Sequence, residues 1–577
     1  MERFLEVLDD NDANENDENK ERNEVGKSGA KHGTSNVWKW FDKLSKTTSK
    51  CRICKKIYMT SGNTSNLREH LNRVHPNYAG TECKKSTIKD FFKESNYYED
   101  NNPRKNLIDN AVISMIVTDM QPTRVVDDVG FRNLLGVLEP RYKLPSRTTF
   151  QNVLLVEMFD NAVKSLKTML NNINYCSITS DGWTSKNNIN YLTVTCHFIV
   201  DGKLKTAVLS TNPLNDDTNH SGENFASSIR HVLTEWKIFD KVTTIVTDNA
   251  QSMVKACRLL EKCHLPCFAH SLNLVMQDVL SHDNLKELIS KCKKIVAFFK
   301  SSSIAYAKFR AAQGENPLRL IQEVTTRWNS AYKMISRILA TKDAVTSVIL
   351  KTHKAPSILN ADEIELLEDL DDLFCQMDDA TKRVSAGNTV TISLILPIIY
   401  GLLSNIKGSI KNLKTEKGAV IANFLLDRLR ERIVPYENRS PVRKATLLDA
   451  RFKKEAFRSA SNAEASAKLL QDELAAMKLS NPVVFTDPSV STLPQTADST
   501  QLGKRDMFGF LKKNREDKIK SQRVDTILKM RQYFEDVNIP TYSDPLEYWQ
   551  MSEPKFKFLK ECANKYLIIP ASSTESE

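Results

Sequence analysis

The run Tyr191-Leu192-Thr193-Val194-Thr195-Cys196-His197-Phe198-Ile199-Val200 alternates in β-branched and aromatic residues, Asp201-Gly202 follows it, and Leu204 to Leu209 continues in the same style. A period of two marks a half-buried strand, and Asp-Gly supplies the positive φ values of a two-residue turn. The stretch therefore predicts a β-hairpin. Working outward toward the carboxy end, a helical pattern covers Phe225 to Trp236, Val242-Thr243-Thr244-Ile245-Val246 predicts another strand, and a further helix begins near Ala250. Strands alternating with helices after a hairpin predict an α/β sheet.

On both sides of that unit the period becomes helical. Ile108, Ala111, Val112, Met115 and Ile116 share one face, as do Val153, Leu154, Met158, Val163 and Leu166. Beyond Leu272 almost everything reads helical, for instance Ile364, Leu367, Leu370, Phe374 and Met377. Asp9 to Lys31 is acidic and poor in aliphatic residues, so it cannot bury enough surface to offset ordering entropy. Asn77 to Lys105 is polar linker without clear periodicity, and Ser, Thr and Pro break the helical pattern again after Ser480. The expected organisation is multidomain: a disordered acidic tail at 1–34, a small ββα-like zinc finger at 35–80, a linker at 81–105, a helical domain at 106–170, an α/β core at 171–275, a large all-α insertion at 276–540 with a disordered loop at 480–503, and a carboxy-terminal region at 541–577.

The finger rests on Cys51-x2-Cys54, fifteen residues, then His70-x4-His75, four soft or borderline ligands spaced for one tetrahedral zinc ion. Ser65-Asn66-Leu67-Arg68-Glu69-His70-Leu71 reads as a short helix with a capping residue at its start, and Pro76 stops it. Five residues carry a helix well past one turn, so His75 needs a loosened final turn to meet His70 at one ion. The block also carries Lys39, Lys43, Lys46, Lys50, Arg52, Lys55, Lys56, Arg68 and Arg73 against Asp42 and Glu69, which suits phosphate contacts. A solvated basic face has the same composition. Val37-Trp38-Lys39-Trp40-Phe41 ahead of the cysteines reads either as a signature or simply as packing on a small finger.

Those aromatics and the Ser65-Asn66-Leu67-x2-His70-Leu71 helix resemble BED-type fingers. Further stretches are similar to the BED-finger transposases of the hAT superfamily and to their domesticated zinc finger BED domain relatives: Gln121-Pro122 to Asp128, Gly130-Phe131, Pro140-Arg141-Tyr142-x-Leu144-Pro145-Ser146-Arg147, Ser180-Asp181-Gly182-Trp183-Thr184, Thr247-Asp248-Asn249-Ala250, Cys267-x2-His270-x-Leu272-Asn273-Leu274, Thr326-Arg327-Trp328-Asn329-Ser330, Ala445-Thr446-Leu447-Leu448-Asp449, Asp544-Pro545-Leu546-x-Tyr548-Trp549 and Ile569 to Glu577. The resemblance implies a ribonuclease-H-like core split by the helical insertion, a DNA-binding and intertwining role for 106–170, and a truncated dimerisation region at 541–577. It further implies three catalytic carboxylates, Asp181, Asp248 and Glu577, holding magnesium or manganese wherever catalysis is retained. Trp328 would stack on an extruded base with Arg327 and Trp183 nearby, and Ser65, Asn66, Arg68 and Arg73 would face DNA. Taken alone, an aspartate after a strand is more often a turn former or helix cap, and a lone tryptophan a core anchor. Cys263, His264, Cys267 and His270 are zinc ligands by residue type, but their crowded spacing reads better as packing. Lys512-Lys513-x-Arg515 through Lys518, Lys520 and Arg523 reads as an import signal or a solvated helix face. Because Glu577 is the last residue and the family's Arg-x-Phe-Ser continuation is missing, the expectation is DNA binding without cleavage.

The net charge of +11 over 577 residues favours a polyanionic partner. Eleven cysteines behind a polar amino end, with no export signal, suit reduced thiols and metal ligands, and no run of eighteen apolar residues exists. The sequence thus points to zinc as cofactor, double-stranded DNA as partner, no membrane, a homo-dimer or higher homo-oligomer, and the nucleus. Its reading is a zinc-dependent, transposase-derived DNA-binding protein, inactive or domesticated and acting in transcription regulation. The alternatives are an active transposase performing metal-dependent cleavage and strand transfer, and a dimeric scaffold that would survive loss of Cys51.

Overall fold

A computed structural model describes residues 36–45, 47–60, 64–75, 97–216, 218–324, 326–480 and 522–574. The expected tail at 1–34, residues 81–96 of the linker, residues 481–503 of the loop, the basic tract from Lys512 to Lys520, Pro76 and Glu577 lie outside them. The chain divides into two compact units, Met1–Glu157 and Met158–Glu577.

In the first unit the finger is a three-stranded antiparallel sheet, β1 (Phe41–Lys43), β2 (Thr48–Cys51) and β3 (Ile57–Met59), followed by the helix Ser65–Val74. The expected ββα outline lacks β1, too short at three residues to show a period. Its reason is packing: β1 pairs Phe41 opposite Cys51, and Phe41 joins Val37, Cys51, Leu67 and Leu71 in a core that has no other buried apolar residue among the described residues. Thr64, one place before Ser65, holds the cap position. The helix Pro103–Thr118 starts inside the expected linker, where Asn102 accepts from the Arg104 N–H (2.9 Å) and Pro103 takes the first turn. With the helix Val129–Leu138 and the Ser146-capped segment through Phe150, it encloses Val112, Ile113, Ile116, Val126 and Phe150.

In the second unit the hairpin forms as β5 (Asn190–Val200) and β6 (Lys203–Pro213), with Asp201 and Gly202 at φ 51° and 69°. With β4 (Cys176–Thr184), β7 (Val242–Thr247) and β8 (Cys263–Pro266) it builds a five-stranded sheet in the order β6-β5-β4-β7-β8. β5 runs antiparallel to β4 and β6, whereas β4, β7 and β8 are parallel. Alternation along β7 gives the sheet two cores. Ile245 points with Ile178, Val194 and Cys196 toward the helices Gly222–Glu235 and Gln251–Leu259, while Val246 points with Leu265 into a larger helical core.

That larger core runs from the helix Phe268–Leu280 to the last described residues. Ile392–Asn412 is long and apolar enough to cross a membrane, yet Ile395, Leu396, Ile399, Leu402 and Ile406 are buried against its neighbours. The tail is woven in. Trp549 is buried, its Nε1–H donating to the Leu448 carbonyl (2.7 Å), and Tyr533 donates to that of Leu447 (3.1 Å). Ala571 offers its carbonyl to the Phe268 N–H (2.8 Å) and its own N–H to Thr391 Oγ1 (2.9 Å). Gln550 donates to the Asp201 carbonyl at the hairpin tip (2.6 Å), pressed so close to Gly202 that any Cβ there would collide with it.

Candidate metal and nucleic-acid sites

Cys51 closes β2, and Cys54 stands in the tight turn beyond it, where Lys55 adopts φ 62° and donates its N–H to the Cys51 carbonyl (2.9 Å). His70 lies on the inner face of the finger helix with Leu67 and Leu71. The helix ends at Val74, and His75 leaves it at φ −134°, ψ 56° while its N–H still reaches the Leu71 carbonyl (2.9 Å). This is the loosened turn the five-residue spacing requires. It brings the two imidazoles to 5.0 Å between centroids, nearly perpendicular. One ligand atom from each of Cys51, Cys54, His70 and His75 lies within 4.8 Å of the others, with Cys54 Sγ 3.4 Å from His70 Nε2. Tetrahedral zinc with bonds of about 2.0–2.3 Å holds its ligand atoms about 3.3–3.8 Å apart.

The electrostatics fit the same ion. Hydrogen bonding to the His75 ring draws the Cys54 thiol down to about 7 against the opposing effect of burial, helped by the Lys56 backbone and Cys51. Burial, then the charges of His75 and Lys56, hold His70 below the ordinary imidazole range. Thiolate and neutral imidazole are the ligating forms. His75 Nε2 is buried beside the thiol with no hydrogen bond of ordinary geometry, as a ring nitrogen turned toward a metal would be. Phe41 and Tyr58 wall the site, their ring centroids 5.8 and 4.4 Å from His70. Tyr58 escaped the sequence reading; only its place opposite Ser49 in β3 marks it.

Outside the helix, Ser65, Asn66, Arg68 and Arg73 are all exposed, opposite the buried Leu67, His70 and Leu71. Lys39, Lys43, Lys55 and Lys56 are exposed as well, and Asp42 is already engaged by Arg52 (2.8 Å). The finger's exterior is thus strongly basic. Trp38 and Trp40 are half-buried on its core, which is the packing role.

On the sheet, Asp181 lies on β4 and Asp248 directly follows β7. The parallel register pairs Thr179 with Val246. Two residues further along in sequence are Asp181, on β4, and Asp248, just past the end of β7, so both stand toward the same end of neighbouring parallel strands. Asp248 Oδ1 also accepts the Ala250 N–H (3.0 Å) across Asn249 at φ 72°, the turn-forming role, while Ala250 takes the cap position itself. Beside it, His264 Nε2 lies 2.9 Å from Thr247 Oγ1, and burial and Arg439 push its pKa down to about 4 against the pull of Asp248. Glu577 lies outside the described residues.

The two tryptophans part company. Trp183 is exposed and stacks on Tyr191, its partner in the β4–β5 ladder (4.7 Å, 12°). Trp328 is 2% exposed, in the helical core, its backbone N–H donating to Asn273 Oδ1 (3.2 Å) and its indole N–H buried without a hydrogen-bond partner, while the neighbouring Arg327 is exposed. As placed, the Trp328 ring is packed in the core. Cys263, His264, Cys267 and His270 do not converge: among the described residues, Cys51, Cys54, His70 and His75 form the one group of three or more metal-type ligands. Cys267 instead caps the helix Phe268–Leu280, its sulfur accepting the His270 and Ser573 N–H groups at 3.4 and 3.3 Å.

Four family models match: the BED zinc finger over residues 35–76, the ZBED1 RNase-like domain over 179–270, the ZBED1 RNase-like helical domain over 265–373, and the hAT family C-terminal dimerisation region over 529–577. The chain carries a BED zinc finger and a hAT dimerisation region. Its homologues are zinc finger BED domain proteins and hAT transposases. It is 24% identical to zinc finger BED domain-containing protein 4 of Homo sapiens over 94% of this chain and 49% of that protein. It is 25% identical to zinc finger BED domain-containing protein 6 of Homo sapiens over 82% and 52%, and 27% identical to a putative AC transposase of Zea mays over 57% and 44%. The chain spans about half the length of the curated relatives it matches. The BED finger accounts for zinc at the Cys51–His75 cluster.

Proposed function

We propose that the chain is a nuclear, zinc-dependent regulator that binds double-stranded DNA through the BED finger, on a scaffold inherited from a hAT transposase and assembled as a dimer or larger homo-oligomer. The observation that carries the reading is the finger itself: four ligand atoms gathered around one point, with Ser65, Asn66, Arg68 and Arg73 exposed on the helix they fix. Zinc supplies fixed coordination there and no chemistry. Cys51 and Cys54 hold the β2 turn, His70 and His75 hold the helix, and the basic exterior engages phosphates while the helix meets base edges. Binding without cutting is favoured by Trp328, whose ring is packed in the core and presents no face to an unpaired base.

The second reading is an active transposase, favoured by the register of Asp181 and Asp248. The strand order, with β5 antiparallel and a long helical region after β8, supports a ribonuclease-H-like core interrupted by an insertion. In such a core the two carboxylates, with Glu577, would hold magnesium or manganese, hard ions that prefer oxygen ligands. One experiment tests both: the purified chain is mixed with labelled duplex DNA, with zinc or with a chelator, and incubated with magnesium or manganese. A zinc-dependent shift without nicking is expected. Nicking that disappears in Asp181→Ala would sink the regulator reading, and a shift that survives Cys51→Ser would sink DNA binding by the finger.

A further inference from the structure

The stretch 291–337 carries ten lysine and arginine residues against Glu315 and Glu323, an excess of eight positive charges in a chain whose net charge is +11. It forms the later half of the helix Asp283–Ser301, the helix Ser303–Gln313, a connection, and most of the helix Trp328–Ala340. The helical period accounts for its apolar residues and leaves its charge without a role. We propose that this surface of the second unit is a second contact for duplex DNA, holding the phosphate backbone without reading its sequence. The proposal rests on the reading that the chain binds duplex DNA, and adds to the finger a site the finger does not contain.

The connection ties the three helices together. The Gln313 side chain accepts the Leu318 N–H (2.9 Å) and donates to the Leu318 carbonyl (3.2 Å), Arg337 donates to the Arg319 carbonyl (2.6 Å), and Glu323 pairs with Lys293 (2.6 Å). The basic residues of all three helices are thereby gathered around one fixed loop. Few of them are neutralised. Lys293 is spent on Glu323, and Lys291 on Glu363 of the helix Ala361–Val384 (2.6 Å). Lys294, Lys300, Lys308, Arg310, Arg319 and Lys333 are exposed, and among the described residues their side chains have no ion pair or hydrogen bond. An ordinary solvated helix face mixes the two signs and pairs them at three- and four-residue spacing, as the helix Glu416–Arg432 does with Asp427–Arg430 and Arg428–Glu431. Here like charges share a surface, and salt screens their repulsion only beyond about 8–10 Å, so a polyanion relieves it. The aromatic residues decide which polyanion. Single strands are held by stacking on exposed rings, whereas Phe299, Phe309 and Trp328 are buried and Phe298, Tyr306 and Tyr332 pack against the core. Backbone charge alone remains to be recognised, and duplex DNA offers about one negative charge per 1.7 Å of its axis.

Sequence-independent binding of this kind has a Kd of roughly 10⁻⁴–10⁻⁶ M at physiological salt, and about six phosphate contacts tighten it some 10³-fold between about 0.2 and 0.05 M. The patch alone is therefore silent near physiological salt and visible at low salt. The test titrates two labelled duplexes of unrelated sequence with the full chain, zinc-loaded or as Cys54→Ser, at both salts. Cys54→Ser is expected to bind both duplexes equally at low salt. In that background Arg310→Glu with Arg319→Glu, and Lys294→Glu with Lys333→Glu, should each weaken binding about tenfold or more and flatten the slope of log K against log salt by about two. The thermal transition of the second unit should not move. Lys407→Glu with Lys411→Glu, the same change of charge at exposed positions outside the patch, should alter binding by less than about threefold. Arg310→Lys with Arg319→Lys should keep it, since only charge is required. In the zinc-loaded chain the patch reversals should weaken binding at physiological salt without changing zinc content. Patch reversals that behave like the Lys407/Lys411 pair, absence of low-salt binding by Cys54→Ser, or stronger competition by single-stranded DNA or anionic vesicles than by duplex overturns the proposal. Failure of the finger reading shows separately, as binding at physiological salt that does not depend on zinc.

Discussion

The finger and the helical core of the second unit reach a fixed shape by opposite means. The finger buries Val37, Phe41, Cys51, Leu67 and Leu71, too little apolar surface to offset the ordering of some forty residues. The second unit buries one continuous core from Val246 to Ala571 and closes its own tail into it through Trp549 and Tyr533. Stability in the first is concentrated in four ligand bonds, whereas in the second it is spread over dozens of side chains. The lesson is that one atom can undo the finger, and no single atom should undo the core.

The sharpest break is Cys54→Ser. Structural zinc contributes about 10–16 kcal/mol to folding such a module at neutral pH, so loss of one ligand should unfold 36–75. Amide spectra should show that loss with the thermal transition of the second unit unchanged and DNA binding gone; ordered finger amides in a chelator would overturn the expectation. The counterpart in the core is Trp549→Ala, which removes a large buried ring and orphans the Leu448 carbonyl. It is expected to cost about 3–5 kcal/mol in denaturant titration while leaving the finger and its zinc content intact. A cost below about 1 kcal/mol would mean the tail is only loosely attached.

Acid should also distinguish the two. Burial pushes His197, between Thr179 Oγ1 (3.1 Å) and Thr206 Oγ1 (3.3 Å), down to about 4. Its folded pKa lies below the unfolded value of about 6.5, so the unfolded chain binds the extra proton first. The second unit should therefore hold its stability above pH 6.5 and lose up to about 3 kcal/mol as the pH falls toward 4. His197→Gln should flatten that slope; an unchanged slope would assign it to other groups. The smallest effect belongs to the finger's exterior. Arg68→Ala with Arg73→Ala should leave zinc content and folding untouched, weaken DNA binding, and lower the slope of log K against log salt by about one per lost phosphate contact.

How much of this was legible depended on whether the deciding contact was local. The hairpin was readable because Asp201-Gly202 encodes its own turn, and the zinc ligands because their spacing implies the fold that unites them. β1 and β8 were not, since three or four residues set no period and Pro266 argues against a strand. That Asp181 and Asp248 stand toward the same end of neighbouring parallel strands depends on the register of strands more than fifty residues apart, which residue type does not encode. Trp328 shows the converse: the surrounding motif resembles one whose tryptophan stacks on an extruded base, while its burial here comes from elements distant in sequence.

The contact between Gln550 and the hairpin tip bears on how the protein can be handled. A two-residue turn at the end of two long strands is where a protein engineer would first place an affinity tag, a fluorophore or a circular-permutation junction. Here that turn lies against the Gln550 side chain of the helix Pro545–Met551, which any Cβ at Gly202 would have to displace. An insertion at 201–202 would break the Gln550–Asp201 contact, so grafts are better placed elsewhere, such as the exposed tip at Gly314, where a Cβ would meet nothing within 4 Å.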